Sequence, residues 1–185
     1  MRKELEQKYY ELFNTSTILK NREKEINDIV LKIEKYKSRY NNLKINIPVY
    51  VIGAIHYRES NFNFNKHLHN GDPLTGRTVN KPTGRPKIGN PPFTWEFSAL
   101  DALSGYKLPN KWNIPNTLYF LEAYNGFGYR YKGINSPYLW AGTNMYERGK
   151  YSSDGKYNPN LIDKQIGCAA ILKYAITKNL FRFEE

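Results

Sequence analysis

The sequence predicts an α+β fold, mainly helical, with one small β-region. Two observations predict it. Apolar residues recur at helical spacing over long stretches in both halves of the chain. Between them, residues 61–92 change character: Gly and Pro cluster, polar residues dominate, and short runs such as Arg77-Thr78-Val79 suit a small hairpin. A chain of 185 residues is one domain, or one domain with an appendage, and needs no staples to hold its core. It divides into an N-terminal helical segment, 1–45, that packs on or extends the rest, and a main domain, 46–185.

The elements follow in order. Residues 3–13 read as a short charged helix, ended by Asn14-Thr15-Ser16-Thr17. Residues 18–41 read as a long amphipathic helix, with Ile26, Ile29, Val30, Ile33 and Tyr40 on one stripe and Lys and Glu opposite. That stripe suits a helix packed on the domain, with a coiled-coil or partner-binding arm as the alternative. Asn46 and Pro48 suit the start of a mostly apolar helix over 47–59. After the polar insertion, helical pattern returns at 93–104, about 115–125 and 158–178. The last has an all-round apolar middle and reads as a central helix. The Tyr- and Gly-rich stretch 126–157 reads as ordered loops with one short helix. No internal repeat, low-complexity tract or dividing linker is visible.

Composition narrows the chemistry. The net charge of +11 asks for an anionic partner, and nucleic acid, acidic membrane and anionic wall polymer all satisfy it. The lone Cys168 excludes an internal disulfide and sits in an apolar run as a small buried hydrophobe. The N-terminus has no apolar core of a signal peptide, and no run of ~18 apolar residues is present to span a membrane. There is no phosphate-cradling Gly-Lys-Ser/Thr motif and no Gly-x-Ser-x-Gly elbow around Ser60. His56, His67, His69 and Asp72 lack the tight ligand set of a zinc site, so no metal and no cofactor is expected.

Glu59 stands out. On the 47–59 helix it shares a face with Ile52 and Ile55, so its carboxyl lies where an apolar stripe meets the polar insertion. Partial burial and the negative end of the helix dipole both oppose its ionisation. A Glu that keeps its proton near neutral pH can act as a general acid toward a glycosidic oxygen. A surface Glu at a frayed helix end, paired with Arg58, is the plainer alternative. Asp72 is the candidate second carboxylate, and is equally at home as a turn residue in Asn70-Gly71-Asp72-Pro73. Glu96, Asp101 and Glu122 suit structural roles on later helices. Arg77, Lys81, Arg85 and Lys87 form a basic patch that suits either anion binding or a solvated loop.

These residues resemble a known group. Ile55-His56-Tyr57-Arg58-Glu59-Ser60-Asn61-Phe62 resembles the Glu-Ser motif of goose-type lysozymes and soluble lytic transglycosylases. Glu122-Ala123-Tyr124-Asn125-Gly126 resembles their Ala-Tyr-Asn motif. The run His67-Leu68-His69-Asn70-Gly71-Asp72-Pro73-Leu74, with Gly84-Arg85-Pro86 and Asn90-Pro91-Pro92-Phe93-Thr94-Trp95, is similar to phage-type and bacterial lysozyme-family proteins. The resemblance spans roughly residues 47–178. It implies a lysozyme-like fold, with a cleft between a helical lobe and a small β-hairpin lobe, and cleavage of the β-1,4 bond between N-acetylmuramic acid and N-acetylglucosamine. It implies Glu59 as the general acid and Tyr124 as the hydroxyl that approaches the acid or substrate, with Asn125 supporting the cleft. Asp72 falls near the acidic residue that goose-type enzymes use for water, though the motif around it differs. Ser60, His69 and Arg85 join Asn125 as substrate contacts. Tyr138 and Trp140 are placed as sugar-stacking faces, with core packing as their alternative.

The implied partner is peptidoglycan, with anionic wall polymers beside it, met by a monomer that is not expected to bind nucleic acid. The implied route is synthesis in the bacterial cytoplasm and release to the wall through a holin pore, as for a phage endolysin. Three alternatives stand beside hydrolysis: a lytic transglycosylase that uses one Glu as acid and then base, a basic nucleic-acid-binding protein, and a non-catalytic wall-binding module.

Overall fold

The computed structural model describes residues 2–153 and 155–185. Among them stand eight α-helices and one two-stranded antiparallel sheet. The chain forms two compact units, Met1–Leu31 with Pro109–Glu185, and Lys32–Leu108. The long helix α2, Glu23–Asn41, passes from one into the other.

The first unit is built on α1, Lys3–Thr15, and α5, Ile114–Asn125, which pack on each other. Tyr9 and Phe13 lie on the buried face of α1. Asn113 caps α5 by accepting from the Asn116 amide at 3.1 Å, and Pro115 sits in its first turn, where a missing N–H costs nothing. Two short helices follow, α6 at Gly128–Tyr131 and α7 at Pro137–Trp140. The final helix, α8 at Cys168–Thr177, packs on α7. Gly167 permits that contact, since a side chain there would overlap the Leu139 carbonyl. Cys168 is fully buried at the start of α8, as a small apolar residue is.

The sheet belongs to this unit. Strand β1, Lys150–Ser153, pairs with β2, Lys156–Asn158, with Tyr151 opposite Tyr157. Tyr129 on α6 closes an aromatic cluster with both, and its hydroxyl accepts from the Tyr151 amide. The hairpin expected around Arg77-Thr78-Val79 is therefore not the one that forms. The amides of Val79 and Asn80 go to the Asp72 carboxylate, and Pro73, Pro82 and Pro86 have no N–H for a ladder. Residues 61–94 stay irregular, with one isolated bridge between Lys66 and Pro73.

The second unit packs the later part of α2 on α3, Val49–Ser60. Every α3 residue from Tyr50 to Tyr57 is buried. Gly53 allows a close approach, because a Cβ there would stand 2.7 Å from Ile33 of α2. The α2 stripe Ile26, Ile29, Val30, Ile33 and Tyr40 is buried throughout, so the helix packs on the protein and is not a free arm. Helix α4, Trp95–Ser104, is capped by Thr94, whose hydroxyl accepts from the Phe97 amide. The last helix was expected over 158–178 and forms only from Cys168. Residues 156–158 are strand instead, and Asp163 turns the chain by accepting from the Gln165 amide.

Candidate functional site

Glu59 occupies the last turn of α3, where the helix leaves the core: Tyr57 is buried, and Arg58, Glu59 and Ser60 are half-buried. Asn61 ends the helix in a left-handed conformation with φ of 50°, and its amide bonds back to the Tyr57 carbonyl. The Ser60 hydroxyl lies within bonding reach of the His56 carbonyl at 3.3 Å and the Asn63 carbonyl at 3.4 Å. Ser60 therefore serves the helix end. The loop then returns, and Gly71 sets its backbone directly on the Glu59 carbonyl.

Tyr106, just past α4, stands within the field of the Glu59 carboxylate. Burial raises the pKa of its phenol, and the negative charge of a Glu59 carboxylate raises it further. The sequence did not single out this electrostatic neighbour of Glu59. The only hint was a Tyr following Gly105 at a helix end.

Asp72 is bound into its own loop. Its Oδ2 accepts from the amides of Val79 and Asn80, both at 2.8 Å, and Oδ1 accepts from the Asn80 side chain at 2.7 Å. Burial opposes ionisation here, but these bonds outweigh it and lower the pKa below the usual carboxylate value. Of the two roles the sequence left open, the turn role accounts for every one of these contacts.

His69 and Arg85, expected at the substrate, are tied to Asp101 of α4. Arg85 grips Asp101 with two bonds, at 3.0 and 2.7 Å, and His69 Nε2 donates to the same carboxylate at 2.8 Å. Burial lowers the His69 pKa, with Asp101 pulling the other way. Beside it, His67 Nε2 donates to the Gly76 carbonyl at 2.8 Å, and in the neutral ring Nδ1 accepts from the Ser98 hydroxyl at 2.7 Å. This chain of polar groups fastens the irregular stretch to α4, which is why both histidines are buried.

The second unit holds five acidic side chains: Glu34, Glu59, Asp72, Glu96 and Asp101. Glu34 accepts from the Tyr50 hydroxyl, Glu96 pairs with Arg39, and Asp72 and Asp101 are engaged as above. Glu59 stands in the last turn of α3, where the irregular stretch begins, and Glu96 in the first turn of α4, where it ends.

In the first unit, Tyr124 and Asn125 form the last turn of α5, half-buried and exposed respectively. Glu122, one turn earlier, is buried and bonded to the Tyr9 hydroxyl and the Arg130 guanidinium. Tyr138 and Trp140 correct the expectation of sugar-stacking faces. They are 3% and 2% exposed, because α7 is a single turn packed on α5 and α8, so their rings are core. Among the described residues no group of three or more His, Cys, Asp or Glu is arranged to hold a metal, and no helix is long and apolar enough to cross a membrane.

No protein-family model, curated protein or solved structure matches the chain.

Proposed function

We propose that the protein cleaves the glycan strands of peptidoglycan at the β-1,4 bond after N-acetylmuramic acid, with Glu59 as general acid. One observation carries this most directly. A half-buried carboxylate closes an otherwise buried helix, within electrostatic reach of the Tyr106 phenol and against the returning loop at Gly71. The helix end and partial burial favour a retained proton, which Glu59 would deliver to the glycosidic oxygen as the bond breaks. The substrate class comes from the resemblance of the Glu-Ser and Ala-Tyr-Asn segments to goose-type lysozymes and lytic transglycosylases. Peptidoglycan is the partner, and the excess of basic side chains suits the anionic polymers that accompany it.

The engagement of Asp72 favours a particular second step. With both its oxygens accepting bonds from Val79 and Asn80, Asp72 is poorly placed to activate a water. A one-carboxylate route suits that state: Glu59, having given up its proton, takes one from the muramoyl 6-hydroxyl, which closes on its own anomeric carbon. The product is then an anhydro sugar, as from a lytic transglycosylase.

The test is digestion of purified peptidoglycan by the wild-type protein and Glu59→Gln, with mass spectrometry of the fragments. Glu59→Gln is expected to remain folded and to release nothing. Full activity in Glu59→Gln would overturn the proposal. Anhydro ends support the one-carboxylate route, and reducing ends support hydrolysis.

A further inference from the structure

The first unit carries an open pocket of about 740 Å³, within the range of about 300–1,000 Å³ typical of organic-ligand sites. One wall is a face of α1. Lys3, Glu6, Gln7 and Tyr10 are spaced i, i+3, i+4 and i+7, on a face that adjoins the one burying Tyr9 and Phe13. The other walls are the start of α5 and the segment at Phe183 and Glu184.

Its chemistry is two-sided. Tyr10 is half exposed and offers a flat ring, and Ile114, Pro115 and Phe183 add apolar surface. Phe183 is fixed, edge-on to Phe13 at 5.3 Å and to Phe181 at 5.0 Å. Around these faces stand the side-chain amides of Gln7 and Asn113 and the carboxylate of Glu6. The Asn113 cap uses its oxygen, so its NH₂ end is a donor. The Glu184 carboxylate is held in place by the Trp112 amide at 2.7 Å. Flat apolar faces ringed by amide and carboxylate groups match a pyranose, which is apolar on its C–H face and hydroxylated at its rim. The charge excludes a polyanion. The acidic side chains outnumber Lys3 in this lining, against the sign of a chain of net charge +11.

We propose that this pocket is a second glycan-binding site, one that takes uncharged N-acetylamino-sugar residues of a strand whose cleavage is assigned to Glu59. The site rests on the glycan substrate proposed above. It belongs wholly to the first unit, whereas Glu59 belongs to the second. Its role is retention of a long strand between cuts, so its loss should raise the concentration of polymer needed without slowing the cutting of short fragments.

The experiment is a titration of the full chain carrying Glu59→Gln with N-acetylglucosamine tetramer, followed residue by residue by NMR. Saturable shifts are expected at Tyr10, Ile114 and Phe183. Tyr10→Ala should weaken them about tenfold through loss of one stacking face. Gln7→Ala, on the exposed helix surface, gives a second variant if Tyr10→Ala does not fold. No shifts in these residues at saturating tetramer overturn the proposal. So does a response confined to a lysine-containing peptide, which would make the occupant a cationic peptide. If wild-type protein leaves peptidoglycan intact while the pocket titrates, the catalytic proposal fails and the binding site stands. If peptidoglycan is cut and the pocket is silent, only the binding site fails.

Discussion

Gly71 lies directly on the main-chain carbonyl of Glu59, in a left-handed conformation with φ of +78° that L side chains rarely adopt. The irregular stretch is thereby seated on the last turn of α3, and the position of Glu59 depends on a residue without a side chain. Gly71→Ala adds a methyl that overlaps a backbone atom and strains φ. A loss of roughly 1–3 kcal/mol is expected, read by urea denaturation. Activity should fall with it, because the overlap is relieved only by moving the loop or the helix end. Unchanged stability and activity would show that the loop is not seated as described.

Asp72 and Glu59 should separate cleanly on mutation. Asp72→Ala takes the acceptor from the amides of Val79 and Asn80, both on exposed residues where water can replace it, at about 0.5–1.5 kcal/mol each. Its lowered pKa adds a pH signature. The stability it supplies is present above the ordinary carboxylate pKa and is lost as pH falls through the folded value. Glu59→Gln should instead abolish cleavage with little change in denaturation midpoint. A stable, inactive Asp72→Ala would give Asp72 the catalytic role that its hydrogen bonds do not suggest.

The contrast between these two residues shows what was legible in the sequence. Helices with a clear stripe were readable, and α2 buries the residues its spacing marked. Glu59 was readable as the end of an apolar run. The partners of Asp72, His69 and Arg85 were not, since Val79 meets Asp72 through an irregular loop with no local period, and Ser98 and Asp101 lie far along the chain from His69 and Arg85. The strands were also misplaced. Arg77-Thr78-Val79 has suitable side chains, but strand formation there fails on main-chain donors already spent on Asp72 or absent at proline. Tyr138 and Trp140 show the same limit: an aromatic residue reads alike in a core and on a binding face until its neighbours are known.

His56 should make the second unit acid-sensitive. It is fully buried, with Nδ1 3.0 Å from the Tyr40 hydroxyl. Burial pushes its pKa from 6.5 to about 4, with the Asn63 carbonyl opposing and the Arg39 charge adding. The folded protein therefore keeps the ring neutral where the unfolded chain protonates it. The associated stability is complete above pH 6.5 and declines toward pH 4, by about 3.5 kcal/mol in all at about 1.4 kcal/mol per pH unit. Urea denaturation at several pH values should show that slope, and His56→Phe should flatten it. An NMR titration placing the His56 midpoint near 6.5 would refute the account.

Arg130 provides the corresponding test for the first unit. It bonds the buried Glu122 through Nε at 3.3 Å and Nη2 at 2.8 Å, and it also donates to the Tyr9 hydroxyl of α1. Arg130→Met removes the cation and leaves Glu122 buried with Tyr9 as its named donor. Breaking one side of a buried pair costs about 3–5 kcal/mol, and the 27% exposure of the Arg130 side chain argues for the lower end. Tyr9→Phe should cost less, about 1.5–3 kcal/mol, the range for a hydrogen bond to a charged group. The two losses should be strongly non-additive in a double-mutant cycle, because Tyr9 and Arg130 share one carboxylate. Additive losses would mean that α1 is held on α5 by apolar packing around Phe13 alone, with the Glu122 cluster contributing nothing to that contact.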